Sequence, residues 1–318
     1  MANRRRPQGD GTIRKRSDGR WEARIIIGHK NDGSPMYKSA FTKTQKSALK
    51  ELHHLIELYR DVDLTEDCRM TLGEWMDKWL DEYMMFSLRE STIEGYRCMA
   101  EHQIKRFIGN KQLSSLTTAD VQRFYNKVKK EGRAKPHPIS GYELSNTMVR
   151  KVHMLLHQAL DVAVKERLIV RNPTNGTTIP KKTTTEKQVL DDSQLERFME
   201  AIKEEPYWND FFYVEVMTGL RRGEICGIKW SDINFTEGTL SVKRSVGTKA
   251  GGGVSIGETK TGAGVRTITM PPSVATLLQE KQADAISEWV FPHYTNPSDP
   301  LHPSSAYRKL KIILKNIE

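Results

Sequence analysis

The sequence predicts a multidomain α+β protein. Three observations lead there. Short strand-like runs separated by Asp-Gly and Asn-Asp-Gly turns occupy positions 12–41. Helical apolar spacing then dominates as far as Asn172-Pro173. After Asn234 the period returns to two over short stretches. A chain of 318 residues is expected to hold two to three domains. The pattern places them at 1–65 (a small three-stranded β-sheet plus a helix), 69–178 (a helical domain) and 191–318 (mainly α with a small antiparallel sheet). Residues 179–190 join the last two.

The first strands are expected at 12–16, 21–28 and 36–41, with Asp18-Gly19 and Asn31-Asp32-Gly33 as hairpin turns. Thr42 and Gln45 form a capping box for a helix whose buried face is Leu49, Leu52, Ile56 and Tyr59. Arg14, Arg16, Arg20, Arg24 and Lys38 can line the solvent face of the sheet, preceded by a basic arm of Arg4, Arg5 and Arg6. Residues 1–60 hold 14 Lys and Arg against 6 Asp and Glu, so most of the net charge of +10 lies there. Such a concentrated basic excess suggests a polyanion partner, most often nucleic acid. A solvated tail and a solvated sheet face are the plainer readings.

Thr71 and Glu74 open a second capping box, followed by the apolar stripe Leu72, Trp75, Met76, Trp79, Leu80 and Tyr83. A helix starting at Ser91, with Glu94 completing its box, carries Ile93, Tyr96, Ile104 and Phe107 and ends at Gly109-Asn110. Thr117 or Thr118 starts another, with Val121, Phe124, Tyr125 and Val128. Ser145 starts a long one with Met148, Val152, Leu155, Leu156, Ala159 and Ala163. The aromatic residues at these spacings read as core. Lys181 and Lys182 make the 179–190 stretch polar and partly basic. Beyond it, Asp191-Asp192-Ser193 caps a helix with Leu195, Phe198, Met199 and Ile202, and residues 208–217 form an apolar helix.

Thr218-Gly219 breaks that helix. Arg221 and Glu224 follow, three apart on one side of a short helix whose apolar side is Leu220, Ile225 and Ile228. An arginine held by a carboxylate just after a glycine turn can present its fork to a phosphate. On spacing alone, the commoner reading is an ordinary surface ion pair. Residues 239–245 read as one strand with Leu240 and Val242 on one face. Residues 257–260 and 265–270 read as a tight hairpin around Thr261-Gly262-Ala263-Gly264, and a helix follows at 272–282.

Several function classes are disfavoured. Cys68, Cys98 and Cys226 are too few and too scattered for a zinc site or a disulfide framework, and suit a reducing cytoplasm. No apolar run approaches the ~18 residues of a membrane helix, and the N-terminus lacks a secretory core. His153 and His157 are four apart on a helix, but Met154-Leu155-Leu156 between them supply no glutamate for a zincin motif. The glycines around Gly252 and Gly257 lack a Walker lysine, and no carboxylates pair at metal spacing. No metal, cofactor or membrane partner is expected.

The string Thr218-Gly219-Leu220-Arg221-x-x-Glu224-Ile225-x-Gly227-Ile228-x-Trp230-x-Asp232-Ile233 resembles the first catalytic box of the tyrosine recombinases, the phage-integrase family. Thr259-Lys260-Thr261…Arg266-Thr267-Ile268…Pro271 resembles that family's β-hairpin box. Leu88-x-x-Ser91-Thr92-x-x-x-Tyr96 and Leu168-Ile169-x-x-Asn172-Pro173 resemble its core-binding domain. The basic sheet plus helix resembles the arm-type-site binding domain of integrases from phages and conjugative transposons. The resemblance implies DNA breaking and rejoining through a 3′-phosphotyrosine, without metal or ATP. By position, Arg221 is then the first of two phosphate-gripping arginines, Glu224 its support, and Lys260 the proton donor to the leaving 5′-oxygen.

The implied partner is double-stranded DNA at arm and core attachment sites. Self-assembly on DNA in the full-length protein and accessory excision or DNA-bending proteins are further family expectations. The family's His-x-x-Arg box, its later His or Trp and its nucleophilic Tyr have no counterpart in these 318 residues. Tyr294 and Tyr307 precede the place where that box would begin. The expectation is therefore a truncated integrase that binds DNA without cleaving it. The alternative is a natural short form that regulates recombination from the attachment site.

Overall fold

A computed structural model describes residues 11–29, 33–59, 70–183, 189–249, 252–258 and 264–317. Arg4, Arg5, Arg6 and Lys260 lie outside the described residues. The chain divides into two compact units, Met1–Thr185 and Glu186–Glu318, so the sheet and the first helical region fall in one unit.

The first unit opens with an antiparallel meander of β1 (Thr12–Lys15), β2 (Trp21–His29) and β3 (Pro35–Thr42), in that order. Alternation along β2 buries Ala23, Ile25 and Ile27. Helix α1 (Gln45–Leu58) brings Ala48, Leu52 and Leu55 to the same core. Thr42 does not cap α1 as predicted. It is still paired with Trp21 in the ladder, so the chain leaves the strand later and Thr44 accepts the Ser47 N–H at 3.2 Å. The buried face shifts accordingly, leaving Leu49 exposed. Lys38 also departs from expectation. Its cross-strand partner is Ile25, and partners share a face, so Lys38 lies on the helix side of the sheet, opposite Arg24.

Thr71 and Glu74 form the predicted reciprocal box at the start of α2 (Leu72–Lys78), which runs on through a π-helical turn, Trp79–Met84. Helix α3 (Glu90–Met99) is N-capped by Arg89, not by Ser91 with Glu94. It passes through a second π-helical turn, Ala100–Lys105, into the short α4 (Arg106–Ile108). Each wide turn slips the helical phase, which uniform 3.6-residue spacing cannot anticipate. Helices α5 (Thr118–Glu131) and α6 (Asn146–Lys165) start where predicted, capped by Thr117 and Ser145. Trp75, Trp79, Tyr125 and the inward face of α6 fill the core. The Trp75 indole donates to the Ala159 carbonyl at 2.9 Å, and the Tyr125 hydroxyl meets His153 Nδ1 at 2.9 Å. Asn172 donates to the His157 carbonyl at 3.0 Å and to Asp161. The histidine pair thus belongs to a packing network, and no metal cluster occurs among the described residues.

The second unit begins with α7 (Asp192–Ile202), α8 (Pro206–Thr218) and the single-turn α9 (Arg222–Ile225). Strands β4 (Ile233–Asn234), β5 (Thr239–Val242), β6 (Arg244–Thr248), β7 (Val254–Glu258) and β8 (Arg266–Thr269) follow, then α10 (Pro272–Ala283) and α11 (Pro303–Ile317). The predicted strand at 239–245 is two strands, parted at Lys243 and assigned to different sheets. One sheet runs β4-β5-β8 and the other β6-β7. Among the described residues, 257–258 and 265–270 do not pair as the predicted hairpin. Lys249 and Gly253 close the turn that returns β7 onto β6, which leaves β8 to pair with β5. Phe198, Phe211, Phe212 and Phe291 centre the core of this unit.

Two glycines set the position of α9. Gly219 ends α8 in the left-handed region, at φ 63°, with open space where a Cβ would stand. A Cβ on Gly223 would stand 2.5 Å from Ser245 Oγ and 2.7 Å from the Val246 carbonyl of β6. Gly219→Ala should therefore cost about 1 kcal/mol from backbone strain alone. Gly223→Ala should cost roughly 2–3 kcal/mol by forcing α9 off β6. Urea unfolding of the second unit, followed by tryptophan fluorescence, measures both; equal losses would contradict this account.

Candidate functional site

The opening of α9 is built from a break, an anchor and a carboxylate. The Thr218 hydroxyl turns back to the Val214 carbonyl at 2.5 Å, and Gly219 reverses the chain. Leu220, Ile225 and Ile228 are buried and pin the segment to the core. Arg221 is the N-cap of α9 and Glu224 its third residue. The Glu224 carboxylate accepts the Arg221 backbone N–H at 3.0 Å and Arg221 Nη1 at 2.7 Å. The two side chains differ sharply in exposure, 75% for Arg221 and 4% for Glu224. The pair is thus no ordinary surface ion pair, because its acidic member is interior.

Glu224 has a second partner that the sequence pattern did not single out. Arg266, the first residue of β8, donates Nη1 to Oε1 at 3.1 Å and Nη2 to Oε2 at 2.9 Å. Four donors therefore surround one carboxylate. Burial alone would raise its pKa. The hydrogen bonds from Arg266 and Arg221 and the charge of Arg266 outweigh that and hold it down at about 2. Arg266 stands in the β-hairpin box, but 42 residues separate it from Glu224 and nothing in the local pattern joins them.

A second carboxylate lies just downstream. Asp232 is buried, accepts the Lys229 N–H at 2.9 Å, pairs with Lys243 at 3.2 Å and takes the Arg244 guanidinium on both oxygens. Arg244 also donates to the Gly227 carbonyl at 3.0 Å. Asp232 thus serves Arg244 directly, and a Cβ on Gly227 would stand 3.1 Å from Arg244 Cγ, which favours glycine there. Arg222, beside Arg221, lies over the Tyr307 ring at 5.2 Å, and Lys311 lies 4.9 Å from the same ring. Glu215 on α8 is raised to about 7 by burial, against the opposing charge of Arg222.

In the first unit, β-ladder register brings Arg14, Glu22 and Arg24 to one face with Tyr37 and Phe41. Glu22 is buried there, accepting Arg14 Nε at 2.6 Å and the Ser39 hydroxyl at 2.8 Å, with Arg16 at 3.5 Å. Arg24 stacks on Tyr37 at 3.3 Å, while Arg16 and Arg20 lie 5.2 and 5.5 Å from the Phe41 ring centre. Arg20 is also tied to Asp18 at 2.7 Å. Four of the five predicted sheet residues are thus grouped, and Lys38 is not. Glu22, Tyr37 and Phe41 are additions. The alternation that buries Ala23 and Ile25 was the available signal for Glu22. Lys181 and Lys182 are exposed, on a stretch tethered by Arg150 to the Pro180 carbonyl and by Asn146 to the Lys181 carbonyl, both at 3.2 Å.

Comparison with known proteins covers the helical part of the first unit and the second unit. Residues 71–129 match the family described as phage integrase, N-terminal SAM-like domain, and residues 188–318 match the phage integrase family. A tyrosine recombinase XerC-like protein of Caldanaerobacter subterraneus subsp. tengcongensis is 27% identical over 233 residues, 70% of this chain and 56% of that protein. The integrase of Mycobacterium phage D29 is 25% identical over 295 residues, covering 89% of this chain and 72% of the phage protein. The chain thus spans little more than half the length of the first of these relatives. In fold, the Tn1549 transposon integrase in complex with transposon right end DNA superposes with a TM-score of 0.65 at 20% identity, over 78% of each chain. A lambda integrase tetramer bound to a Holliday junction gives 0.61 at 18% identity, over 99% of this chain and 85% of that one.

The Glu224 carboxyl sits at about 2 in the folded chain, against an ordinary value of 4.5. A depressed folded value means that its contribution to stability is complete above the unfolded value and is lost as pH falls through the folded one. The second unit should therefore lose stability between about pH 4.5 and pH 2. Glu224→Gln should be less stable at neutral pH and should show a shallower acid slope. Thermal melts across that range check this; parallel slopes for the two proteins would contradict it.

Proposed function

Because the chain belongs to the tyrosine recombinase family of phage and transposon integrases, we propose that it binds double-stranded DNA at the attachment sites of a mobile element, within that family's breaking and rejoining chemistry. The observation that carries this reading is the outward guanidinium of Arg221, three-quarters exposed and fixed at its base by a buried carboxylate. A planar fork so held is organised for a non-bridging phosphate oxygen before DNA arrives. In the family's reaction, whose tyrosine nucleophile is not assigned among these residues, Arg221 would stabilise the charge that gathers on a five-coordinate phosphorus. Glu224 would support it, and Lys260 would give its proton to the leaving 5′-oxygen.

The DNA-facing surfaces follow from the same chemistry. The sheet face of Arg14, Arg16, Arg20 and Arg24 suits the major groove at an arm-type site, since a β-ribbon fits its width. Arg4, Arg5 and Arg6 extend the charge along the backbone. Lys181 and Lys182 lie close in sequence to the boundary of the two units, where they would meet phosphates near the core site. Lys38 contributes only general attraction from the other side of the sheet. The neighbours in complex with transposon right end DNA and bound to a Holliday junction support a duplex partner and assembly on it.

Strand cleavage needs a tyrosine nucleophile and a second arginine, and His-x-x-Arg does not occur within the 318 residues. The Tyr307 ring lies 5.2 Å from Arg222 and 4.9 Å from Lys311, and Tyr294 is stacked on His293 with ring centres 4.6 Å apart. We assign neither as the nucleophile. Our reading is that these residues hold DNA without cutting it, which is also the behaviour required of a short regulatory form.

Arg221→Ala should weaken binding to a fluorescein-labelled DNA duplex about tenfold, the worth of one charge-assisted hydrogen bond. It should also lower the slope of log affinity against log salt by about one. Unchanged affinity in anisotropy titrations would refute the phosphate role. Nicked suicide duplexes should yield no covalent protein–DNA adduct, and an adduct mapped by mass spectrometry to Tyr294 or Tyr307 would overturn the non-cleaving assignment.

A further inference from the structure

The two arginines on Glu224 are not equivalent. Arg221 offers a single guanidinium nitrogen, at 2.7 Å, and leaves most of its side chain exposed. Arg266 offers both terminal nitrogens, one to each carboxylate oxygen, at 3.1 and 2.9 Å, and is 31% exposed. A two-point fork fixes the plane of a carboxylate, whereas a single contact allows it to rotate. Arg266 is itself held. Its backbone pairs with Val242 of β5, and its Nη1 also reaches the Gly264 carbonyl at 3.4 Å. The orientation in which Glu224 meets Arg221 is therefore set from β8.

We propose that Arg266 is a positioning residue for Arg221: by occupying both oxygens of Glu224, it keeps Arg221 singly bound and turned outward for phosphate. The inference rests on the reading of Arg221 as a phosphate ligand. Its logic is competition. A carboxylate and a phosphate present the same pair of oxygens to a guanidinium, so an unsaturated Glu224 would draw Arg221 down into a two-point pair of its own. Arg266 prevents this without facing the ligand. Lysine in its place keeps the charge but supplies only a point contact, which separates the effect of the fork from the effect of the charge.

The test uses the intact chain and a short fluorescein-labelled DNA duplex, with Arg221→Ala, Arg266→Lys and the double variant compared by anisotropy after thermal melts confirm folding. Arg266→Lys should bind about three- to tenfold more weakly despite its unchanged charge, a loss of the order of one charge-assisted contact. The double variant should bind no more weakly than Arg221→Ala, because both changes remove the same phosphate contact. Parent-like binding by Arg266→Lys, or an additive loss in the double variant, overturns the proposal. Parent-like binding by Arg221→Ala instead refutes the phosphate reading itself, and is seen in a different protein. Should Arg266→Lys fail to fold, the parent answers through its arginine side-chain Nε–Hε resonances. Added duplex should shift that of Arg221 and leave that of Arg266 in place; an equal shift at Arg266 makes it a direct ligand and ends the positioning role.

Discussion

A carboxylate with 4% of its surface exposed is the constraint around which the second unit is arranged. Removed from water, Glu224 survives as an anion only because four donors converge on it; a buried charge deprived of its partner costs several kcal/mol. Those donors come from places that the fold must bring together. Two belong to the residue at the mouth of a single-turn helix, and two come from the start of a strand in another part of the chain. The left-handed turn at Gly219, the close approach of Gly223 to β6 and the pairing of β8 with β5 are the backbone terms of that convergence. An α9 of four residues has little helical stability of its own. Its geometry is imposed by Leu220, Ile225 and Ile228 in the core and by the carboxylate it carries.

The same arrangement recurs. Glu22 beneath Arg14 and Arg16, Asp232 beneath Arg244 and Lys243, and Asp120 beneath Lys111 and Arg123 are all acidic groups at low exposure that gather basic ones above them. Each has a pKa below its ordinary value, Asp120 and Glu22 chiefly through hydrogen bonds, and Asp232 through hydrogen bonds that outweigh its burial. A chain with ten more cations than anions thus uses its buried acids to organise its surface bases.

Element identity was largely legible in the sequence because caps and apolar periodicity are local properties. Thr71 and Ser145 cap the helices they were expected to cap, and Thr117 and Asp191 do so from among the neighbouring candidates. Two of the failures share a cause, which is competition from tertiary partners. Thr42 was retained by the ladder with Trp21, so its cap passed to Thr44. The run at 239–245 was split because Val242 and Arg244 answer to different sheets. The π-helical turns at Trp79–Met84 and Ala100–Lys105 leave no mark in residue type that periodicity could detect. For the candidate site, Arg221 and Glu224 could be paired from spacing, since one helical turn joins them. Arg266 could not, because its link to Glu224 passes through β-pairing, and its own neighbours Val265 and Thr267 say only that it lies on a strand.

The aromatic shelf of β3 has a consequence beyond charge. Arginine side chains on a sheet surface normally sample many rotamers, and a ligand that immobilises one must overcome about 2 kcal/mol of lost freedom. Arg24 lies flat on Tyr37, and Arg16 and Arg20 flank Phe41, with Arg16 also drawn toward Glu22 and Arg20 held by Asp18. Much of their entropy is already spent in the free protein. The Tyr37 ring also covers one side of the Arg24 guanidinium. Such a face is stiffened before it meets anything, and any partner it takes would be selected by shape, with acceptors that already match the spacing of the arginines.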